Sequence, residues 1–401
     1  MRGKKILFLL FEYPSANTAG YHSYNRDALL TAIKAGAEVS LEVISSRYKV
    51  ISDDISEFQV LGGLNIRSPG LFRMGRYAFV LGFGELLRFF LSRLKSRFLP
   101  STSQSKRRHI GRFLTGKEIR DIRRRVEKVG PDLVVLDTLF MSPLATELPC
   151  PSLILAHDIF HQRCESLTQS GLDPYPKIDE TTEQQFLRST DLVVAISEDD
   201  ATVLKRFLPE RSVAIMAPAL KWNPCTFSTE SGAANLFYMG SSAHHNVHAI
   251  RTFLRDVWPC LKRKMPDIRL LIAGDVCLQI SSPPADVLLL GRLNKPELTA
   301  KNCVAGIDPV LGGSGVKIKV LSYLSMGLPC ITTAAGAQGL GRFADLLYKA
   351  ETPADFIEAV QMLSGPLFDR ASYEVSVQRA ISVHNSDGQA DFIRKVEALL
   401  Q

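Results

Sequence analysis

The sequence predicts an α/β protein made of two successive domains, each built on a parallel sheet. Three observations carry this reading. The chain has 401 residues, room for two domains of about 100–200 residues each. Continuous apolar runs of strand length recur along it, as for strands buried on both faces. Those runs alternate with helical patterns, and the alternation breaks once near the middle.

The elements follow in order. KKILFLLF is the first strand, EYPSANTAGYHS a polar loop, and Ala28, Leu29, Leu30 and Ile33 mark the first helix. VSLEVIS, DLVVLDTLF, SLILAHDIF and DLVVAIS are further strands, each leading into polar or Gly/Pro-bearing residues. The acids Glu198, Asp199 and Asp200 read as the start of a helix, where they suit its dipole. APALKWNPCTFSTESGAAN, rich in Pro, Ser, Thr and small residues, reads as a linker. A second series follows: NLFYMG, a helix from Val247 to Lys264, RLLIAGD, DVLLLGRL, AGIDPVL and PCITTAA. The expected boundaries are a first domain over residues 1–217 with an insert at 65–128, a linker at 218–234, a second domain at 235–365, and terminal helices at 366–401 that return to pack on the first domain.

Composition narrows the class. Hydrophobic residues make up 46% and charged residues 22%, ordinary for a globular protein. Seven scattered cysteines without C-x-x-C argue against a disulfide framework or a zinc site and fit a reducing compartment. The basic start MRGKKILFLLF ends at Glu12 without a small-residue cleavage site, so it reads as a strand, not a signal peptide. No apolar stretch is long enough for a transmembrane helix, and the expected location is cytoplasmic.

The net charge of +7 is uneven, with 17 Lys/Arg against four acids between residues 67 and 128. Phe79, Phe83, Leu86, Phe90 and Leu94 recur at helical spacing beside Arg88, Arg93, Lys95 and Arg97. That pattern predicts a cationic amphipathic helix, either facing a core or, with residues 72–112 together, meeting an anionic membrane surface. No nucleic-acid-binding module is present, so nucleic acid is not an expected partner.

The chemistry concentrates in GGSGVKIKVLSYLSMGLPCITT, residues 312–333. A strand runs into Gly312-Gly313-Ser314-Gly315 and then a helix with Lys317 in its first turn. Glycines admit close approach, and a helix N-terminus offers unpaired N–H groups to an anion. The order of Gly and Lys fits neither a P-loop nor G-x-G-x-x-G.

This segment, continued by Gly336-Ala337-Gln338-Gly339-Leu340, closely resembles the donor-binding segment of GT-B glycosyltransferases, above all family 4. NLFYMGSSAHHNVHAIRTFLRDVWPCLKRKMPDIRLLIAGD and DLVVAISEDDATVLKR resemble other parts of the same family, so the likeness spans most of residues 185–345. It implies two Rossmann-like domains facing across a cleft, the second holding a nucleoside-diphosphate sugar and the first a glycan or lipid-linked acceptor. It also implies hexosyl transfer with retention and no required metal or other cofactor; no D-x-D motif occurs. The donor-binding residues implied are Gly240, Ser241, Asn246, Arg292, Gly313, Ser314, Gly315, Lys317 and Ser322. The catalytic pair implied is His157 and Asp158 at the end of a strand, with Gly20 on the acceptor or sugar side; Asp137, ending DLVVLD, joins that side by its position alone. A buried structural histidine and a helix-capping aspartate are the alternative readings of that pair.

Two departures stand out. Ser314 and Ser322 occupy positions where the family usually has glutamates, the second of which binds the donor ribose. The family's basic residue after the first strand of the second domain is replaced by Ser241, Ser242, His244, His245 and Asn246. Lys317 is therefore expected to be the main fixed positive charge. A sugar-nucleotide epimerase of the same fold and a catalytically silent nucleotide-sugar-binding partner are the alternative functions.

Overall fold

The computed structural model describes residues 1–14, 20–44, 53–54, 64–66, 71–74, 77–80, 112–174, 176–225 and 234–401. The chain divides into two compact units. The first comprises Met1–His157, Tyr175–Met216 and Gln389–Gln401; the second comprises Asp158–Pro174 and Ala217–Gly388.

The first unit is built on seven strands: β1 (Lys5–Leu10), β2 (Glu38–Val43), β4 (Asn65–Ile66), β7 (Leu133–Leu136), β8 (Ser152–Ala156), β9 (Leu192–Ala195) and β10 (Ser212–Ile215). Their spatial order is β10-β9-β8-β7-β1-β2-β4, parallel throughout. The strands β7, β8 and β9 are buried along their whole length, which is why their sequences run apolar without alternation. Helix α1 (Gly20–Lys34) buries Tyr24, Ala28, Leu29, Ala32 and Ile33. Counting from β1, the order is 3-2-1-4-5-6 with a seventh strand added, so the direction of winding reverses between β1 and β7. Ligands of open α/β sheets bind at the carboxyl ends beside such a reversal.

A short antiparallel sheet joins β3 (Asp53–Asp54), β5 (Leu71–Met74) and β6 (Tyr77–Val80). This corrects the expected amphipathic helix at its start. Tyr77, Phe79 and Val80 are aromatic or β-branched, and they pair with Leu71–Met74 across a two-residue separation in sequence. The rest of that expected helix, through residue 111, lies outside the described residues.

The basic run that follows is helix α2 (Gly116–Val129), started by a Thr115–Glu118 capping box and ended by Gly130 in the left-handed region. Ile122 and Val126 are its buried face. Several of its cations have acidic partners: Arg125 pairs with Glu42 at 2.6 Å, and Arg123 with Glu127 and Glu147 at 2.9 and 3.0 Å. Arg112 pairs with Glu118 at 2.6 Å.

The second unit has six parallel strands: β11 (Asn235–Met239), β12 (Arg269–Ala273), β13 (Val287–Gly291), β14 (Ala305–Asp308), β15 (Cys330–Thr332) and β16 (Leu347–Lys349). Their order β13-β12-β11-β14-β15-β16 is 3-2-1-4-5-6, reversing between β11 and β14. One core packs Trp258, Phe253 and Phe356 against Leu236, Leu270 and Ile272. The other centres on Phe237, Tyr323 and Phe343. Among the described residues no helix is long and apolar enough to cross a membrane.

The last helix (Arg370–Leu399) contributes to both units. In the second, Gly388 O accepts from Ala217 N and Asn385 Oδ1 from Leu220 N, both at 2.9 Å. In the first, Asp391 accepts from Ile215 N at 2.9 Å and Glu397 pairs with the Met1 amino group at 2.5 Å.

Candidate functional site

Helix α8 (Ile318–Ser325) locks into the reversal of the second sheet. The strands β11 and β14 share only the pairs Leu236–Ala305 and Phe237–Gly306 before they part. Tyr323 fills the fork. Its hydroxyl accepts from Met239 N at 2.8 Å and donates to Ile307 O at 3.3 Å. Gly306 makes room for the ring, since a Cβ there would stand 2.6 Å from it.

One turn earlier on α8, Lys319 enters the same fork. Its Nζ lies 3.0 Å from Asp308 Oδ1, the last residue of β14, whose side chain is fully buried. It also donates to Asn246 Oδ1 at 2.7 Å and lies 3.4 Å from the Tyr238 hydroxyl. Burial pulls the Lys319 ammonium down, but Asp308 and Tyr238 outweigh it and hold its pKa above the ordinary lysine value. Burial pushes the Tyr238 phenol up.

Asn246 lies in the first turn of helix α6 (His244–Thr252), which begins just after β11. Its Nδ2 donates to Ser241 Oγ at 3.0 Å, and its carbonyl accepts from Tyr238 at 3.0 Å. Gly240 donates to Ala273 O at 3.0 Å, and a Cβ on it would meet the Tyr238 ring at 2.9 Å. Beside Asn246, the half-buried His245 is pushed down to about 3. The causes are burial first, then the charges of Lys319, Arg163, Lys317 and His244. Its depressed pKa reports burial first and, after it, the cationic side chains gathered at the amino ends of α6 and α8.

The glycine-rich turn is shaped by helix α3 (Phe160–Gln169), which belongs to this unit. Ser166 Oγ accepts from Gly313 N at 2.9 Å, and Ser170 Oγ lies 3.0 Å from Leu311 O. A Cβ at Gly312 would come within 2.3 Å of Ser170 Oγ. The close approach at Gly312 is therefore to α3. Gly313 and Gly315 have φ of +128° and +69°, a region that disfavours other residues. Ser314 donates to Asp158 Oδ1 at 3.0 Å, and Asp158 Oδ2 holds Arg163 at 3.0 Å. Lys317 is the residue capping α8, one position before the helix and not inside it. Its Nζ donates to Ser314 O and Gly315 O, both at 2.9 Å, so the lysine folds back over the turn.

Ser322 donates to Ile318 O at 2.9 Å, within its own helix. Arg292 is not brought to this corner: it is exposed and makes a two-pronged pair with Asp275 at 2.5 Å. In its place the structure supplies Arg163, Lys319 and Asp308, which the sequence reading did not single out. The K-x-K spacing was the signal for Lys319, because Lys317 and Lys319 cannot share one environment at the start of a helix.

The remaining candidates sit in the first unit, at its own reversal. Asp137 follows β7 directly and is 1% exposed. It accepts from Phe11 N at 3.0 Å, Asn25 Nδ2 at 2.6 Å and His157 Nε2 at 3.0 Å. Tyr24 packs edge-on to the His157 ring at 5.3 Å. His157 and Asp158, neighbours in sequence, thus belong to different units. Gly20 is the first residue of α1.

Comparison with known proteins agrees with this geometry. Residues 233–365 match the model of the family "Glycosyl transferases group 1". A search of curated proteins finds no significant sequence match. Among solved structures, sucrose-phosphate synthase from Thermosynechococcus elongatus superposes with a TM-score of 0.69 at 14% identity, over 99% of each chain. S. aureus TarM, in a mutant complex with fondaparinux, alpha-GlcNAc-glycerol and UDP, gives 0.65 at 10% identity over 99% of this chain and 100% of that one. Trehalose-6-phosphate synthase, solved in a study of glycosyl transfer with retention, gives 0.62 at 12% identity over 99% of both. The two Rossmann-ordered sheets are those of the GT-B fold, and residues 233–365, within the second unit, are similar to the glycosyl transferases group 1 family.

Proposed function

We propose that this protein is a glycosyltransferase that takes a sugar from a nucleoside-diphosphate sugar and passes it, with retention, to a glycan or lipid-linked acceptor. The observation that carries the reading is the gathering of cationic side chains around His245. Lys317, Lys319 and Arg163 all act on that ring, at the carboxyl end of β11 and the amino ends of α6 and α8. Fixed cations and helix N-termini together suit a diphosphate. A diphosphate held this way needs no metal ion or other cofactor. The UDP in the TarM complex and the retention studied in trehalose-6-phosphate synthase support the same class.

Retention follows a same-face attack in this reading, with the donor phosphate helping to deprotonate the acceptor. His157, oriented by Asp137, is the group assigned to the transferring sugar. The anionic membrane partner of residues 72–112 and the cytoplasmic location rest on sequence charge and composition alone.

A second reading has one observation behind it. Ser322, standing where the family places its ribose-binding glutamate, directs its hydroxyl to Ile318 O. That favours a partner that binds nucleotide sugar without turning it over. Incubation with UDP-, GDP- and ADP-sugars, with and without glycan acceptors, tests both. Transfer or slow hydrolysis of one donor supports the enzyme. Binding without turnover supports the silent partner, and sugar interconversion without acceptor would indicate an epimerase.

A further inference from the structure

Four side chains run in series from the interior to the edge of the proposed donor corner, and their chemistry fixes the direction of each hydrogen bond. Asp308 is fully buried and pairs with Lys319 Nζ at 3.0 Å. An ammonium can only donate, so the Asn246 atom 2.7 Å from it must be the carbonyl oxygen. The amide nitrogen of Asn246 then necessarily faces Ser241 Oγ, at 3.0 Å. Asn246 is 6% exposed, so this orientation is locked. Ser241 Oγ also lies 3.4 Å from Ala243 N, a second donor. With its oxygen accepting on that side, the hydroxyl proton of Ser241 takes part in no hydrogen bond among the described residues.

We propose that the Asp308–Lys319–Asn246 series is a positioning relay that turns the Ser241 hydroxyl into a dedicated hydrogen-bond donor for a phosphoryl oxygen of the bound nucleoside diphosphate. The inference rests on the donor-site reading above and deepens it. A serine hydroxyl ordinarily donates or accepts as its surroundings demand. Here the buried aspartate, three groups away, removes that choice. Ser241 therefore selects an acceptor oxygen and cannot serve a ligand hydroxyl that needs to donate. The relay also supplies what the sequence after β11 lacks. A charge buried on α8 acts through Asn246 on a neutral residue at the mouth of β11.

The test is titration calorimetry of the full chain with UDP, GDP and ADP. Ser241→Ala removes the donor and is expected to weaken the preferred nucleotide by about 10- to 100-fold, the range for a hydrogen bond to a charged group. Asn246→Asp keeps the size of the side chain and gives Lys319 a better partner, but it offers Ser241 an acceptor. The hydroxyl should then turn inward, with a similar loss of affinity and no fall in the thermal midpoint. The double variant decides the cause. If Asn246→Asp acts through Ser241, it adds nothing in the Ser241→Ala background. If it acts by repelling phosphate, its full effect remains and the relay is overturned. Asn246→Ala is the second variant: it frees the hydroxyl to rotate, so its smaller loss should also vanish in the Ser241→Ala background. Wild-type affinity in Ser241→Ala would overturn the inference while leaving the donor site intact. Absence of binding by the wild type to all three nucleotides would overturn the donor-site reading, and this inference with it.

Discussion

Lys319 and Asp308 form an ion pair of 3.0 Å in the interior of the second unit, joining α8 to the end of β14. Their side chains are 16% and 0% exposed. Two consequences separate this pair from a surface salt bridge. The charges are little screened, and each would be stranded without the other.

Lys319→Met should therefore cost about 3–5 kcal/mol of stability, because it leaves an uncompensated carboxylate in the core. The double change Lys319→Met with Asp308→Leu should recover a large part of that loss, since apolar replacement of a buried pair is often neutral. Urea denaturation of the three proteins checks this. A midpoint unchanged by Lys319→Met alone would mean that the pair does not hold α8 in place.

Lys317 differs from Lys319 although only two residues separate them. It lies over the glycine-rich turn and donates to the Ser314 and Gly315 carbonyls. Those contacts hold its ammonium at the turn, beside the amino end of α8. Lys317→Ala should weaken nucleoside-diphosphate binding by about 1.5–3 kcal/mol and change stability by about 1 kcal/mol or less. Calorimetry with UDP and GDP, beside thermal unfolding, reads both quantities. Equal affinity in variant and wild type would place the diphosphate elsewhere.

His245 gives the site a pH signature. Burial and the neighbouring cations push it down to about 3 from the ordinary 6.5. The folded state thus binds its proton less readily than the unfolded chain. Its contribution to stability is full above about pH 6.5 and is lost as the pH falls toward about 3. A bound diphosphate would offset the neighbouring cations and raise the pKa again. Nucleotide binding should therefore take up protons below about pH 6, visible as heats that depend on buffer ionisation enthalpy. His245→Gln should abolish that uptake and flatten the acid limb of the stability curve. Identical uptake in the variant would assign the proton to another group.

The sequence made the α/β class and the nature of the second unit legible because both rest on local pattern. Fully buried parallel strands such as LVVL and LVVA are apolar without alternation, and GGSGVKIK reads as a strand-to-helix turn. What it could not show is which atoms spend the polar groups. Ser314 reads as a ligand contact until Asp158, 156 residues earlier, is found accepting its proton. Arg292 reads as a spare cation until Asp275 is seen to hold it. The assignment of a helix to Phe79 failed because YAFV fits both periods over four residues, and only pairing with Leu71–Met74 decides between them.

His157 and Asp137 carry the last prediction. The imidazole is held by Asp137 through Nε2, while Asp137 is itself fixed by Phe11 N and Asn25. With a carboxylate at Nε2, that nitrogen donates, and Nδ1 points away from Asp137. Nδ1 is buried and makes no hydrogen bond among the described residues. A ring oriented in this way can stabilise positive charge developing at an anomeric carbon without acting as a nucleophile. His157→Ala should then lower kcat by about 10²–10³-fold, by analogy with the loss of one oriented polar group, while donor KM changes far less. Asp137→Asn should lower kcat in the same direction, because an amide offers only one accepting atom to Phe11 N, Asn25 and His157 and holds the ring less firmly. A loss confined to KM would make His157 a binding residue. A His157→Ala protein that fails to unfold cooperatively, with activity retained by a His157→Gln protein that folds, would leave the ring a structural role beside Tyr24.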